Sequence, residues 1–221
     1  MAFGRGFDSP QLHQMTARYD APRESTTSGR FAWEREGMTI TSIHEFAQRL
    51  RFDPIPIEQR QAHLPVAVAC ALPHEELVVF SCLDEHSDTA AFCIRYGVEP
   101  QDCANTLILK YTANQGEHHA AVVTLGSRRL DINGAVKEKL GAKRLSLARR
   151  EVATEITGME FGGITAFALP AGMRILIDAQ VMGRDFVVMG AGYRRTKILL
   201  SPSTLERLPL AEVASLTLDS Q

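Results

Sequence analysis

The sequence has few of the features that mark secreted scaffolds, membrane proteins or bulk nucleic-acid binders. Its four cysteines form no Cys-x-x-Cys pair and have no histidine at zinc-finger spacing, which disfavours a disulfide scaffold and a zinc module. No apolar run approaches the roughly 20 residues that span a bilayer, and no signal-peptide core is visible. The 24 basic residues are balanced by 26 acidic ones, so contact with nucleic acid requires a local patch. We expect a cytoplasmic protein with reduced thiols and no membrane contact.

The apolar residues are numerous enough for one substantial core. Of the 221 residues, 45% are hydrophobic, which allows one large domain with an extension. Residues 1–37 are polar without a sustained apolar period, so we interpret them as a poorly ordered extension. An alternative is that translation begins near Met38, because residues 6–10 read like the product of a tRNA gene. The globular pattern covers residues 38–215.

The spacing of apolar residues predicts the secondary structure of this region. Strands are predicted at 76–82, 106–111, 120–125, 175–177, 186–189 and 197–200, with 106–111 and 120–125 forming a hairpin. Helices are predicted from Ser42, from Ser87 to Gly97, from Asp131 or Asn133 to Gly141, over 145–156, and after Ser201-Pro202. The irregular alternation predicts an α+β fold, in which a mixed, largely antiparallel sheet or a small barrel carries peripheral helices.

Glycines give the densest local signal. Gly158, Gly162 and Gly163 lie between a predicted helix and a predicted strand. Backbone amides in such a loop can face a ligand and stabilise a developing oxyanion, although a plain tight connection is the alternative. Gly190 and Gly192 lack the third glycine and the following helix of a dinucleotide site. We expect them to allow a close approach of backbone to backbone or to a ligand.

The histidines give no case for a metal. His118 and His119 are adjacent, and adjacent side chains of a strand point to opposite faces, so we expect a solvated turn there. No serine, histidine and aspartate set is identifiable from spacing. We therefore expect no metal, no cofactor and no covalent nucleophile.

Basic residues are concentrated between positions 128 and 150. Eight basic and two acidic residues occur in this stretch, including Arg128, Arg129, Lys143 and Arg144. A solvated helical face and a surface that contacts tRNA phosphates are both consistent with this pattern.

Read in order, several segments resemble the YbaK and prolyl-tRNA-synthetase-associated editing-domain family. The resemblance covers roughly residues 76–208. It rests on the glycine-rich segment Thr157–Thr165, the strand-borne Asp178, Gly190–Arg194, the helix 130–143, and the segment from Gly97 to Leu107. It implies a YbaK-like fold and a deacylase that hydrolyses mischarged aminoacyl-tRNA. The implied partners are aminoacylated tRNA and, as a further option, an aminoacyl-tRNA synthetase.

The resemblance also implies roles for individual residues. The Gly162 and Gly163 amides stabilise the ester carbonyl, Asp178 orients the amino group or the loop, and Asn105 and Thr106 position the terminal nucleotide. The other implied substrate-binding residues are Thr165, Ala166, Gly190, Gly192 and Arg194, and the implied tRNA-binding residues are those named in the basic stretch. The catalytic set is expected to border a single cavity.

Two positions depart from the family pattern. The family has lysine where this chain has Asn105, and proline where it has Ala166. Asparagine brings no charge, and charge-assisted hydrogen bonds are roughly twice as strong as neutral ones. The alternative function is therefore a non-catalytic member of the fold that binds tRNA, a nucleotide or a metabolite.

Overall fold

The computed structural model describes residues 42–74, 76–114 and 116–218. The predicted extension at 1–37 and the alternative start at Met38 lie outside these residues. Within the described ranges, the strands are β1 (Asp53–Pro54), β2 (Leu77–Ser81), β3 (Ala104–Ala113), β4 (Gly116–Leu125), β5 (Arg144–Leu147), β6 (Arg174–Asp178), β7 (Val187–Gly190), β8 (Thr196–Leu200) and β9 (Ala211–Ala214). The α-helices are α1 (Ile43–Arg49), α2 (Arg60–His63), α3 (Val66–Ala71), α4 (Thr89–Tyr96), α5 (Lys137–Leu140), α6 (Arg150–Thr157), α7 (Ala179–Met182) and α8 (Ser203–Glu206), and a π-helical turn at Ile132–Val136 precedes α5.

The strands form two sheets. A four-stranded sheet has the order β1-β2-β8-β7 and is antiparallel throughout. A five-stranded sheet has the order β5-β3-β4-β6-β9, in which β4-β6 and β6-β9 are the parallel pairs. The predicted α+β fold with a mixed, largely antiparallel sheet is confirmed. In the part of the chain that the structure describes, the sheets do not close into a barrel.

The largest apolar cluster lies between the two sheets. Ile108, Ala121 and Ile177 of the five-stranded sheet meet Val79 and Ile198 of the four-stranded sheet there. Because side chains alternate along a strand, the residues next to them face outward. Complete burial of one large apolar side chain is worth about 1.5–3 kcal/mol, so this layer is the main source of stability.

Two smaller clusters cover the outer faces of the sheets. Phe80 and Leu199 of the four-stranded sheet pack against Phe92 of α4. Leu109, Val122, Leu176 and Leu216 belong to the cluster outside the five-stranded sheet, together with residues of α5. Cys103 forms an isolated bridge to Val188, so the start of β3 joins the edge strand β7 and brings the two sheets together.

Most predicted elements are confirmed, and two predictions are wrong. Ser42 accepts a hydrogen bond from the Glu45 amide at 3.2 Å, as a helix cap does. The stretch 145–156, predicted as one helix, begins instead with β5, which pairs with β3 through Leu109↔Leu147. The turn expected at His118 and His119 is part of β4, because the hairpin register continues to Ala113↔Gly116.

Candidate active site

The glycine loop, defined here as residues 158–163, follows α6 directly. Gly158 ends the helix with a φ of 66°, a left-handed conformation that glycine adopts without steric cost. The loop then docks on the turn between β7 and β8. The Gly192 amide donates to Gly163 O at 2.7 Å, and the Glu160 amide donates to Gly192 O at 2.8 Å.

This docking places backbone directly against backbone. A Cβ on Gly163 would lie 2.5 Å from the carbonyl carbon of Tyr193, and a Cβ on Gly190 would lie 2.7 Å from the carbonyl carbon of Gly163. Neither position accommodates a side chain without displacing main chain. The expected close approach of backbones at Gly190 and Gly192 is therefore present.

The backbone amides of Gly162 and Gly163, which are expected to donate to a substrate carbonyl, differ in their surroundings. The Gly163 amide donates to Glu160 O at 2.8 Å and so forms part of the turn. Gly162 has a φ of 87°, and a Cβ there would lie 2.6 Å from Arg194 Nη1. Gly162 is thus the loop glycine that lies against a cationic group.

Arg194 links the glycine loop to the start of α4. Its Nη2 donates to Ser87 Oγ at 2.7 Å and to Asp88 Oδ1 at 3.3 Å, and its Nε donates to Asp84 Oδ1 at 3.2 Å. On the loop side, Nη1 donates to Phe161 O at 3.5 Å. These bonds fix a guanidinium whose side chain is 26% exposed. Burial lowers the pKa of Arg194, but hydrogen bonds and charge from the two aspartates outweigh it and raise the pKa overall.

The backbone of Arg194 is held as well. Its amide donates to Glu160 Oε2 at 2.8 Å, so a carboxylate of the loop caps the turn that carries the arginine. The arginine and the glycine loop are therefore fixed relative to each other by main chain and side chain.

Asn105 lies at the start of β3, beside the same end of α4. Its Oδ1 accepts a hydrogen bond from Thr89 Oγ1 at 3.2 Å. Thr89 follows Asp88, which binds Arg194, so Asn105 and Arg194 contact neighbouring residues of one segment. Thr106 points to the opposite face of β3 and is buried. Its Oγ1 has no hydrogen-bond partner within the described residues.

An open cleft of about 840 Å³ lies beside the glycine loop. Its wall carries both signs of charge and one aromatic ring, from Asp84, Arg150, Glu151, Thr154, Glu155, Glu160, Phe161, Arg194 and Arg195. The Arg150 guanidinium carbon lies 5.3 Å from the centroid of the Phe161 ring, within cation–π range. The cleft therefore offers an aromatic ring, guanidinium groups and carboxylates to a polar ligand.

Asp178 is in a different environment. The residue is fully buried, and its carboxylate accepts the Leu216 amide at 2.9 Å and the Thr217 hydroxyl at 3.2 Å. Since Ile177 faces the layer between the sheets, Asp178 faces the outer side, whereas Ile164 after the glycine loop packs between the sheets. Asp178 does not line the cleft beside the glycine loop. Its visible contacts hold the segment after β9.

Thr165 and Ala166 also lie inside the protein. Both are buried, and the Thr165 amide contacts Met159 Sδ at 3.4 Å. Neither lines the cleft. Alanine at 166 retains an N–H that proline lacks, and its side chain packs in the core between the sheets.

Comparison with known proteins identifies the family. The profile of the aminoacyl-tRNA editing domain matches residues 84–208, more than half of the chain. The chain belongs to the aminoacyl-tRNA editing domain family. The matched range begins at Asp84, which binds Arg194, and includes the glycine loop and Asn105.

Solved structures show the same fold. A candidate trans-editing enzyme for prolyl-tRNA synthetase is 21% identical with a TM-score of 0.61, over 74% of this chain and 98% of its own. A hypothetical protein is 29% identical with a TM-score of 0.57, over 63% of this chain and 89% of its own. No curated protein matches the chain.

In this member of the editing-domain family, the basic stretch is divided between two ends of the five-stranded sheet. Arg128 follows the end of β4 and donates to Gln180 Oε1 at 3.0 Å, and Arg129 is its neighbour. Lys143 and Arg144 lie near Thr112, at the other end of β3. At about 3.4 Å per residue, roughly 25 Å of strand separates the two pairs. They do not form one patch.

Several residues of the candidate site were not found from the sequence. Ser87, Asp84 and Asp88 contact Arg194, but short acidic segments before helices are common and gave no specific signal. Lys197 is buried beneath the same segment. A charged residue inside an apolar strand was the only available clue. Among the described residues, no cluster of three potential metal ligands occurs, and no helix has the length and apolarity to cross a bilayer.

Proposed function

We propose that this editing domain is a trans-acting deacylase that hydrolyses the ester of mischarged aminoacyl-tRNA. The observation that carries the proposal is the Arg194 network. It fixes a guanidinium between the glycine loop and the segment that binds Asn105, at the edge of a cleft of about 840 Å³. Membership of the aminoacyl-tRNA editing domain family supports the same class of substrate.

The reaction requires no enzyme nucleophile. The oxygen of a water molecule bonds to the ester carbonyl carbon, the bond from that carbon to the ribose oxygen breaks, and the ribose oxygen takes a proton. Negative charge develops on the carbonyl oxygen, where the Gly162 amide and the Arg194 guanidinium are the available donors. Loss of one such donor typically raises the barrier by about 3 kcal/mol.

The cleft has groups for each part of an aminoacyl-adenosine. The Phe161 ring provides a face for a base, and base–aromatic stacking is worth about 1–3 kcal/mol. Glu151 and Glu155 provide negative charge for the α-ammonium group of the amino acid. Arg150 and Arg195 provide positive charge for the flanking phosphates.

The acceptor stem requires contacts outside the cleft. We assign this role either to Arg128 and Arg129 at one end of the five-stranded sheet or to Lys143 and Arg144 at the other end. The two pairs are too far apart for both to contact the phosphates at the end of one acceptor stem. In a plot of log binding constant against log salt concentration, each lost phosphate contact reduces the slope by about one unit. Neutral substitutions in each pair therefore show which pair contacts the phosphates.

Asn105 favours a second candidate, a binding protein without deacylation. An amide at this position donates neutral hydrogen bonds only, so its hold on a phosphate or a polarised carbonyl is weaker than that of lysine. The two functions differ in one observable, which is release of amino acid from charged tRNA.

The experiment uses tRNAs charged with alanine, serine and cysteine, with amino-acid release followed over time. Arg194→Gln should lower the rate by about 10- to 100-fold, because charge-assisted bonds at the site are lost. The matched control is Arg207→Gln, which removes an exposed arginine that pairs with Glu76. Asn105→Lys should raise the rate. Binding of all three tRNAs without any release would favour the second candidate.

A further inference from the structure

Lys197 is a cation buried next to the site. The residue lies on β8 and is 6% exposed. In the described part of the chain its Nζ donates one hydrogen bond, to Ser87 O at 2.8 Å, and forms no salt bridge. Burial of a charge without a paired carboxylate opposes folding. A lysine kept in such a position therefore needs a compensating role.

Strand geometry directs this side chain toward α4. Ile198 and Leu200 point into the layer between the sheets, so Lys197 and Leu199 point to the outer face of the four-stranded sheet. Phe92 of α4 packs on that face. The lysine side chain consequently reaches the start of α4 from the outer face of the four-stranded sheet.

The segment Ser87–Thr89 receives all three site contacts. Ser87 O accepts from Lys197, and Ser87 Oγ accepts from Arg194. Thr89 Oγ1 donates to Asn105. One short segment therefore joins the buried ammonium of Lys197 to the guanidinium of Arg194 at the glycine loop and to the amide of Asn105.

Electrostatics indicates the same proximity. Burial lowers the pKa of Lys197, and the nearby charge of Arg194 lowers it further, while Cys82, Cys103 and Asp88 oppose the change. These four titratable or charged groups face the ammonium from the residue after β2, the residues before β3 and before α4, and the β7–β8 turn. Lys197 and Arg194 are therefore close enough to interact electrostatically.

We propose that Lys197 is a positioning residue of the editing site, which holds the segment Ser87–Thr89 in place and supplies positive charge from β8 beneath the segment that binds the neutral Asn105. This rests on the proposed deacylase function. In this arrangement the positive charge comes from a strand of the four-stranded sheet, and the Asn105 amide contributes only neutral hydrogen bonds.

The first test needs no activity. Hydrogen–deuterium exchange is measured across residues 84–96 in the wild type, Lys197→Met, Lys197→Arg and the control Lys110→Met, which removes an exposed lysine paired with Glu117. Lys197→Met should speed exchange in the segment Ser87–Thr89 by roughly tenfold, whereas the arginine variant and the control should not. Unchanged exchange in Lys197→Met would overturn the positioning role, and this result would stand even if no tRNA were deacylated.

The second test measures the charge. Lys197→Met should lower kcat/KM for release of amino acid by roughly tenfold or more, mainly through kcat, and Lys197→Arg should retain most of it. The wild-type rate should fall as the pH rises through the lowered pKa of Lys197, because the ammonium group then loses its charge. In Lys197→Arg this fall should occur at higher pH, because a guanidinium keeps its proton. Asn105→Lys should restore the rate of Lys197→Met.

Two results would overturn the charge role in an active protein. One is an unchanged kcat/KM in Lys197→Met. The other is a loss that neither Lys197→Arg nor Asn105→Lys restores, together with an unaltered pH profile. Absence of release by the wild type would instead refute the deacylase function, and the exchange experiment would still decide the positioning role.

Discussion

Replacement of Gly190 by alanine tests the packing that holds the glycine loop. The new Cβ would lie 2.7 Å from the Gly163 carbonyl carbon and 2.9 Å from Ile164 O. Carbon atoms in proteins approach to about 3.5–4.0 Å, so the two backbones must separate by roughly 1 Å. Gly190 is fixed by its pairing with Lys197 in the four-stranded sheet, so the loop has to move.

The expected destabilisation has two parts. Forced overpacking of this kind costs about 1–3 kcal/mol. The hydrogen bond from the Gly192 amide to Gly163 O, 2.7 Å long, is lost or stretched, which adds about 1 kcal/mol. The total of about 2–4 kcal/mol should lower Tm by roughly 5–15 °C in a domain of this size. Deacylation should fall as well, because the loop carries Gly162.

Gly183→Ala is the matched control. Its new Cβ would have only Gln180 O in contact, at 3.6 Å, and its φ of −79° suits alanine. Thermal and urea unfolding of both variants measure the difference. Equal unfolding midpoints for Gly190→Ala and Gly183→Ala would refute the argument from close backbone contact.

Two further predictions concern buried carboxylates. Burial raises the pKa of Asp102 to about 6 although Arg184 opposes the rise, so removal of the arginine should raise that pKa further. Arg184→Met should therefore lose about 3–5 kcal/mol of unfolding free energy near pH 8, where the buried Asp102 has to be charged without its partner. The loss should be clearly smaller near pH 5, where the Asp102 carboxyl keeps its proton in the native state. Equal losses in urea unfolding at both pH values would contradict this. Asp178→Ala leaves the Leu216 amide without its acceptor and should cost about 2–3 kcal/mol. Thr217→Val, which removes only the weaker hydroxyl contact, should cost less, and equal losses would argue against the assigned geometry.

Much of the fold could be predicted because its strands are apolar and β-branched. The hairpin of β3 and β4 was found from such runs, but its length was not. Glu117 lies outside the two predicted strands, yet it forms a cross-strand ion pair of 2.7 Å with Lys110 in the longer register. The strand β5 was missed because Leu145 is in helical spacing with Ala148, Val152 and Ile156. Hydrogen bonding to β3 makes residues 144–147 a strand and not a helix. The sequence of residues 144–147 alone does not show that this partner strand lies beside them.

The site was only partly predictable for a related reason. Glycine spacing indicated a tight loop at Gly162 and Gly163, because steric requirements of glycine are local. The environment of Asp178 and that of Lys197 depend on which segments cover the sheets, and those segments are distant in sequence. The local sequence around Asp178 or Lys197 therefore does not reveal whether the side chain faces a ligand, solvent or the interior.

The segment that covers Asp178 has a consequence for the physical limits of the domain. The family match ends at Leu208, yet β9 pairs in parallel with β6 after that point, and Leu216 belongs to the outer cluster. A chain cut at the end of the match would turn β6 into an unprotected edge strand beside a buried carboxylate. Exposed edges of this kind promote self-association through backbone pairing. The folding unit is consequently longer than the range that the family profile matches, and its last strand protects the sheet against aggregation.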